Sequence, residues 1–298
     1  MSNDRMKSQM STKAGFIAAL DQSGGSTPGA LKAYGIPETA YSNDEEMFRL
    51  IHEMRVRIIT APSFTGEKVI GAILFERTMD GEANGKPVPT YLWEERGVVP
   101  FLKIDKGLED EAKGVRLMKP IPGLDTLLAR AVKLGVYGTK ERSVINLPDR
   151  EGIAAVVKQQ YELAHQVASH GLVPIIEPEV LVKSPDKKGA EAILHDELVK
   201  ATNAMPGDYK IMLKVTIPEQ ADLYADLVKH PRVERVVALS GGYPLDEACE
   251  RLKKNHGMIA SFSRALLGGL QHGMSDAEFD ATLSKTIDKI YDASVNKI

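Results

Sequence analysis

Eight short apolar runs, each followed by a segment with helical spacing, recur along the 298 residues. Such alternation restricts the fold severely, because a strand can rejoin the same sheet in parallel only after a crossover, usually a helix. The runs cover 15–20, 69–75, 99–104, 136–145, 172–176, 209–218, 233–239 and 257–260. Between them, Met47, Leu50, Ile51, Met54 and Ile58 repeat with a helical period. So do Leu124, Leu127, Leu128 and Ala131, and, behind a capping Asp149, Ile153, Val156, Val157 and Leu163. Further helices are predicted over 191–204, over 218–229 with Leu223, Leu227 and Val228 inward, and over 246–254. A last helix opens with the capping-box pattern Ser275 to Glu278. No linker, repeat or composition shift divides the chain, so residues 1–298 are read as a single α/β domain, a (β/α)8 TIM barrel. An open doubly wound sheet shares the alternation and is the runner-up.

The sixth run carries an awkward residue. Strand side chains alternate, which puts Lys210, Met212 and Lys214 on one face and Ile211, Leu213 and Val215 on the other. A barrel places the first set inside and the second toward the helices. An isolated lysine there would usually lay its stem on apolar surface and reach water with its head. A buried one must be paired, neutral or reactive.

The other strand ends decide between these readings. Strand one ends at Asp21, strand three at Lys103-Ile-Asp105, strand four at Lys140-Glu-Arg142 and strand five at Glu177-Pro-Glu179. Three of these ends carry two charges at i and i+2, which a period of two brings to one face. Scattered ion pairs on a solvated rim would be worth little. Charges gathered at the C-terminal rim of a barrel instead lie where active sites are built. An amine attacks a carbonyl only when neutral, and burial beside a cation disfavours an ammonium. Lys140 and Arg142 are the candidate cations, and Glu177 is a candidate for the proton transfers of Schiff-base formation. Ser240-Gly241-Gly242 and Arg264 follow strands seven and eight, the recurring phosphate position of such barrels. Asp21-Gln-Ser-Gly-Gly-Ser26 with Lys103 offers a second anion site.

Several chemistries are disfavoured. Cys249 is the single cysteine, so neither an internal disulfide nor a multi-cysteine metal site is available. The seven histidines form no His-Glu-x-x-His, and neither a Walker loop nor Gly-x-Gly-x-x-Gly occurs. A formal charge of −3 supplies no footprint for nucleic acid or an anionic membrane. The opening residues lack the apolar core of a signal peptide, and no run reaches membrane-span length, so a cytoplasmic location is expected. Whether copies of the chain assemble into a homo-oligomer stays open.

The ordered set Ala19-Leu20-Asp21-x-Ser23, Leu102-Lys-Ile-Asp-Lys-Gly107, Pro174-Ile-Ile-Glu-Pro-Glu179, Leu213-Lys214, Leu239-Ser-Gly-Gly242 and Ser261-Phe-Ser-Arg-Ala-Leu266 resembles class I fructose-1,6-bisphosphate aldolase, in a compact bacterial form. The resemblance implies a metal-independent enzyme that uses no cofactor and forms a covalent imine between Lys214 and a phosphorylated ketose. It implies that Lys140 disfavours the charged amine and that Glu177 is the acid and base. Asp21 would position the reacting groups, with Glu179 and Arg142 in support. Ser240, Gly241, Gly242, Ser261 and Arg264 would hold the 1-phosphate, and Ser23, Ser26 and Lys103 the 6-phosphate. A related Schiff-base lyase, a transaldolase-type enzyme and a silent sugar-phosphate-binding barrel are the alternatives. The chain departs from the animal pattern at Gln22 (usually Glu), Glu141 (Trp), Phe262-Ser263 (Tyr-Gly) and Ala30 (Arg). It ends without a tyrosine-terminated tail, which leaves Tyr291 or water as the proton donor to the enamine.

Overall fold

A computed structural model of the chain describes residues 2–298. Its main sheet follows chain order through β1 (Phe16–Leu20), β2 (Val69–Leu74), β3 (Val99–Lys103), β4 (Gly138–Ile145), β5 (Val173–Val180), β6 (Ile211–Thr216), β7 (Val233–Leu239) and β8 (Ile259–Ala260). Every consecutive pair is parallel. Ala19 N donates to the Phe262 carbonyl at 3.1 Å, drawing the first strand against the segment that leaves the last. The sheet is thus a nearly closed eight-stranded barrel with helices between its strands, as the alternation predicted.

Two apolar layers follow from strand parity. Ile17, Ile70, Val99, Phe101, Ile175, Met212, Val237 and Ile259 form the inner cluster. Ile211, Leu213 and Val215 join the outer one, shared with the helices. Met212 and Lys214 therefore point inward as expected, and Lys214 is buried. Lys210 does not share their burial: it precedes β6 and is exposed at the barrel's lower mouth. Gly138 makes the interior possible at one tight spot, where an added Cβ would lie 2.1 Å from the Val173 carbonyl and 2.9 Å from the Phe101 ring.

The floor of the barrel comes from a segment that lacks strong helical periodicity in the sequence. Ser2–Thr12 is a helix, α1, whose Met6 and Met10 complete the inner cluster. Gln9 Nε2 donates to the carbonyls of Ile70 at 2.8 Å and Gly97 at 2.7 Å, and Arg235 Nε donates to the Met10 carbonyl at 2.8 Å. α1 thus covers the N-terminal end of the barrel, opposite the charged strand ends.

The predicted caps are present: Asp149 accepts from Gly152 N at 2.8 Å, and Ser275 with Glu278 forms a capping box. The helix predicted over 218–229 is different. It shrinks to Ala225–Val228, because Asp222 adopts a φ of +59° and its carboxylate accepts from the backbone N–H of His256 at 2.6 Å. That long-range contact outweighs the local apolar spacing. The final helix, Asp276–Val295, runs back to the barrel floor, where Lys297 Nζ donates to the Met258 carbonyl at 2.6 Å, just before β8. Tyr291 on this helix faces Lys68, which precedes β2. It is therefore at the opposite end from Lys214, and its candidacy as proton donor falls. Among the described residues no helix is long and apolar enough to cross a membrane.

Candidate active site

The inward residues at the upper ends of β3 to β6 are Lys103, Lys140, Arg142, Glu177, Glu179 and Lys214. Register explains their meeting: Lys103 pairs with Lys140, and Arg142 with Glu177, across adjacent parallel strands. The result is a continuous chain of charges. Lys140 Nζ lies 2.6 Å from Asp21 Oδ2 and 2.9 Å from Glu177 Oε2. Glu177 Oε1 lies 3.2 Å from Lys214 Nζ. Asp21, Lys140, Glu177 and Lys214 are each less than a tenth exposed.

Burial and pairing oppose each other here. Burial works against ionisation of Asp21, but Lys140 and Lys214 outweigh it and hold the carboxyl well below the usual carboxylate range. The same contest lowers Glu177, with burial again opposed by Lys140 and Lys214. Lys140 is pushed the other way: burial would strip its proton, yet Asp21 and Glu177 hold it firmly as an ammonium. Two lysines thus share one ionised carboxylate, and among the described residues Lys140 also pairs with a second, Asp21.

This arrangement gives a stability prediction. Both carboxylates have folded pKa values below their unfolded ones, so their contribution is complete above the unfolded values. It is lost as pH falls through the folded values. Lys140→Met removes the cation and leaves burial to dominate at Asp21, which then favours the protonated form. Stability should fall by about 3–5 kcal/mol at neutral pH, as for other broken buried pairs. Part of the loss should return as the pH is lowered and Asp21 takes up a proton. Urea unfolding at pH 7 and pH 5 measures both; an equal loss at the two pH values would contradict the network.

Around this chain lie the other predicted residues. Arg142 Nε is bonded to Glu179 Oε2. Lys103 Nζ is held by Asp105, 2.8 Å from Oδ1. Ser26 Oγ donates to the Ser23 carbonyl at 2.9 Å and accepts from the Ser23 N–H at 3.0 Å, which shapes the loop after β1. On the facing side, Ser240 and Ser261 are buried at the ends of β7 and β8, and the Ser261 hydroxyl has no hydrogen-bond partner among the described residues. Gly241 has a φ of +61°, and a Cβ there would meet Val182 Cγ2 at 2.5 Å. Gly242 has its own positive φ, +106°, and a Cβ there would lie 3.3 Å from the guanidinium of the exposed Arg264. Backbone N–H groups of a Gly-Gly turn beside an arginine form an anion-binding concavity. The structure thus gathers the predicted residues on one rim, as two anion-suited loops flanking the buried charge chain.

Glu141 is excluded from that rim. It pairs with Ile176 and shares the outer face of β4 with Ile145, behind the sheet. Burial, with Asp105 and Glu177 near, pushes its pKa well above the ordinary carboxylate range. One residue near the rim escaped the sequence reading. Arg55, on the Asp44–Thr60 helix, is fully buried and donates to the Gln22 carbonyl. Its signal was a charge among Ile51, Met54 and Ile58 on an inward helical face. An open cleft of about 680 Å³ under α1, lined by Arg5, Lys13 and Trp93, contains none of these residues. Among the described residues no group of three or more His, Cys, Asp or Glu side chains is placed to hold a metal ion.

Comparison with known proteins gives a consistent picture. The family model described as fructose-bisphosphate aldolase class-I matches residues 5–220. Fructose-bisphosphate aldolase class 1 of Synechocystis sp. is 54% identical over 293 residues, covering 98% of each chain. The protein of the same name from Porphyromonas gingivalis is 53% identical over 293 residues, covering 98% of this chain and 99% of that one. Among solved structures, fructose-bisphosphate aldolase from Plasmodium falciparum, crystallised with TRAP and a small-molecule inhibitor, superposes with a TM-score of 0.80. At 20% identity, over 99% of this chain and 95% of that one, it speaks to the fold.

Proposed function

The chain belongs to the class I fructose-bisphosphate aldolase family, and from that premise we propose which of its residues carry the reaction. That reaction is the reversible retro-aldol cleavage of fructose 1,6-bisphosphate to dihydroxyacetone phosphate and glyceraldehyde 3-phosphate, a carbon–carbon lyase activity. In our reading the Lys214 ammonium first passes a proton to Glu177, 3.2 Å away, and the neutral amine then attacks the ketose carbonyl at C2. Glu177 relays protons as the carbinolamine forms and loses water, leaving a protonated imine. A carboxylate, Asp21 or Glu177, then takes the proton of the C4 hydroxyl. The C3–C4 bond breaks, and its electron pair moves toward the cationic nitrogen. Glyceraldehyde 3-phosphate departs, and the enamine is protonated at C3 before water releases dihydroxyacetone phosphate. Lys140 is the fixed cation that keeps both carboxylates ionised.

The observation that supports this reading most is the bridging of Lys140 and Lys214 by the two oxygens of Glu177. It puts a base 3.2 Å from the candidate nucleophile and a permanent positive charge on the far side of that base. The substrate's phosphates would occupy the two flanking loops. Ser240, Gly241, Gly242, Ser261 and Arg264 take the 1-phosphate; Ser23, Ser26 and Lys103 take the 6-phosphate, for which Lys103 exchanges Asp105 for phosphate. Arg142 and Glu179 support the sugar between them. We read the chain as one catalytic domain, independent of metal and cofactor, working in the cytoplasm. Fructose 1,6-bisphosphate cleavage should survive exhaustive dialysis against EDTA. Activity lost on dialysis and restored by a divalent cation would overturn this reading.

A further inference from the structure

The two anion loops lie on either side of the seam where the barrel closes, and the side chain of Gln22 crosses it next to Asp21. Gln22 follows Asp21 in the loop after β1. Its Nε2 donates to Ser263 Oγ, in the loop after β8, at 2.5 Å. Its backbone carbonyl is bonded by Arg55, and its Oε1 lies 3.4 Å from the same guanidinium nitrogen. Arg55 is fully buried and is itself held by Thr78 Oγ1 at 2.8 Å. A guanidinium has only donors, so Oε1 must face Arg55 and the amide nitrogen must face Ser263. The orientation of Gln22 is therefore set by Arg55, on the Asp44–Thr60 helix. Gln22 and Ser263 are also two of the positions at which this chain departs from the animal pattern. Each is the other's partner.

We infer that Gln22 is a positioning residue: anchored by Arg55 and bonded to Ser263, it fixes the spacing of the two phosphate-binding loops, so that this enzyme favours ketoses carrying both phosphates. The loop after β1 has no strand beyond Asp21 to hold it, and its serines bond mainly to each other. Without the clamp, Ser23 and Ser26 would move relative to Ser261 and Arg264. A bisphosphate spans that distance and would feel the change. A 1-phosphate anchored on one loop would not. The inference rests on the proposed assignment of the two loops to the two phosphates.

The test compares fructose 1,6-bisphosphate with fructose 1-phosphate as substrates for the wild type, Gln22→Ala, Ser263→Ala and Gln22→Glu. For Gln22→Ala and Ser263→Ala, kcat/KM on the bisphosphate should drop about tenfold, a modest loss for a misplaced binding group, with the monophosphate changed by less than about twofold. Ser263→Ala removes a single hydroxyl and carries the test if Gln22→Ala fails to fold. The double variant should be no worse than either single one, since both break one bond. Gln22→Glu keeps an acceptor for the Ser263 hydroxyl and one for Arg55, and should preserve the ratio between substrates. Equal losses on both substrates would assign Gln22 a merely structural role and overturn the inference, as would no loss on the bisphosphate. Wild-type protein that cleaves neither ketose would instead contradict the functional reading, and this inference with it.

Discussion

Lys214→Ala should lower cleavage of fructose 1,6-bisphosphate by more than about a thousandfold, the scale expected when a covalent route is removed. The size of the loss follows from the neighbours. Lys140 is the other amine paired with Glu177, but Asp21 at 2.6 Å and Glu177 at 2.9 Å keep it charged, and an ammonium has no lone pair to offer. The fold should survive, because Glu177 retains Lys140 when Lys214 is lost. The destabilisation should therefore be smaller than the about 3–5 kcal/mol typical of a fully orphaned buried charge. Steady-state assays and a urea melt separate the two effects. Activity comparable to wild type would remove Lys214 from the mechanism.

Glu177→Gln should lower kcat by about 10²–10⁴, the usual range for a general acid or base. An amide has one acceptor oxygen where the carboxylate offered two, so it cannot serve Lys140 and Lys214 alike. In contrast to Lys214→Ala, imine formation should slow but persist, since the nucleophile remains. The pH dependence gives an independent check. Burial tends to protonate Glu177, yet the two lysines hold its pKa below the ordinary carboxylate value. The base is therefore available throughout neutral pH, and kcat/KM for the wild type should fall only on strong acidification. In Glu177→Gln that acid limb should disappear. A limb that persists unchanged would assign it to another group, with Asp21 the first alternative.

Much of this site was legible in the sequence because barrels turn period-two patterns into depth. Lys140 and Arg142, or Glu177 and Glu179, are two apart on strands that run in parallel, so their side chains share the interior without any long-range information. Met212 and Lys214 obeyed the same rule. Lys210 escaped it because the strand starts one residue later, at Ile211. What stayed hidden depends on contacts distant in sequence. Asp222 gave up helical geometry for His256, 34 residues away. Gln22 met Ser263, 241 residues away, across a closure that no local pattern reports. Lys103 was read as a phosphate ligand, and the structure adds its resting partner Asp105, two positions on, which any such role must displace. The helix of Ser2–Thr12 was missed for a simpler reason. Its buried apolar side chains are Met6 and Met10, too few to stand out in a periodicity count.

The central claim is that Lys214, and no other amine, becomes covalently attached to the substrate. Incubation with dihydroxyacetone phosphate followed by borohydride reduces an imine to a stable secondary amine, and peptide mass mapping then locates it. The account predicts a single adduct on the peptide containing Lys214, absent from Lys214→Ala. An adduct on Lys140 or Lys103, or none at all in a preparation that cleaves the substrate, would contradict it.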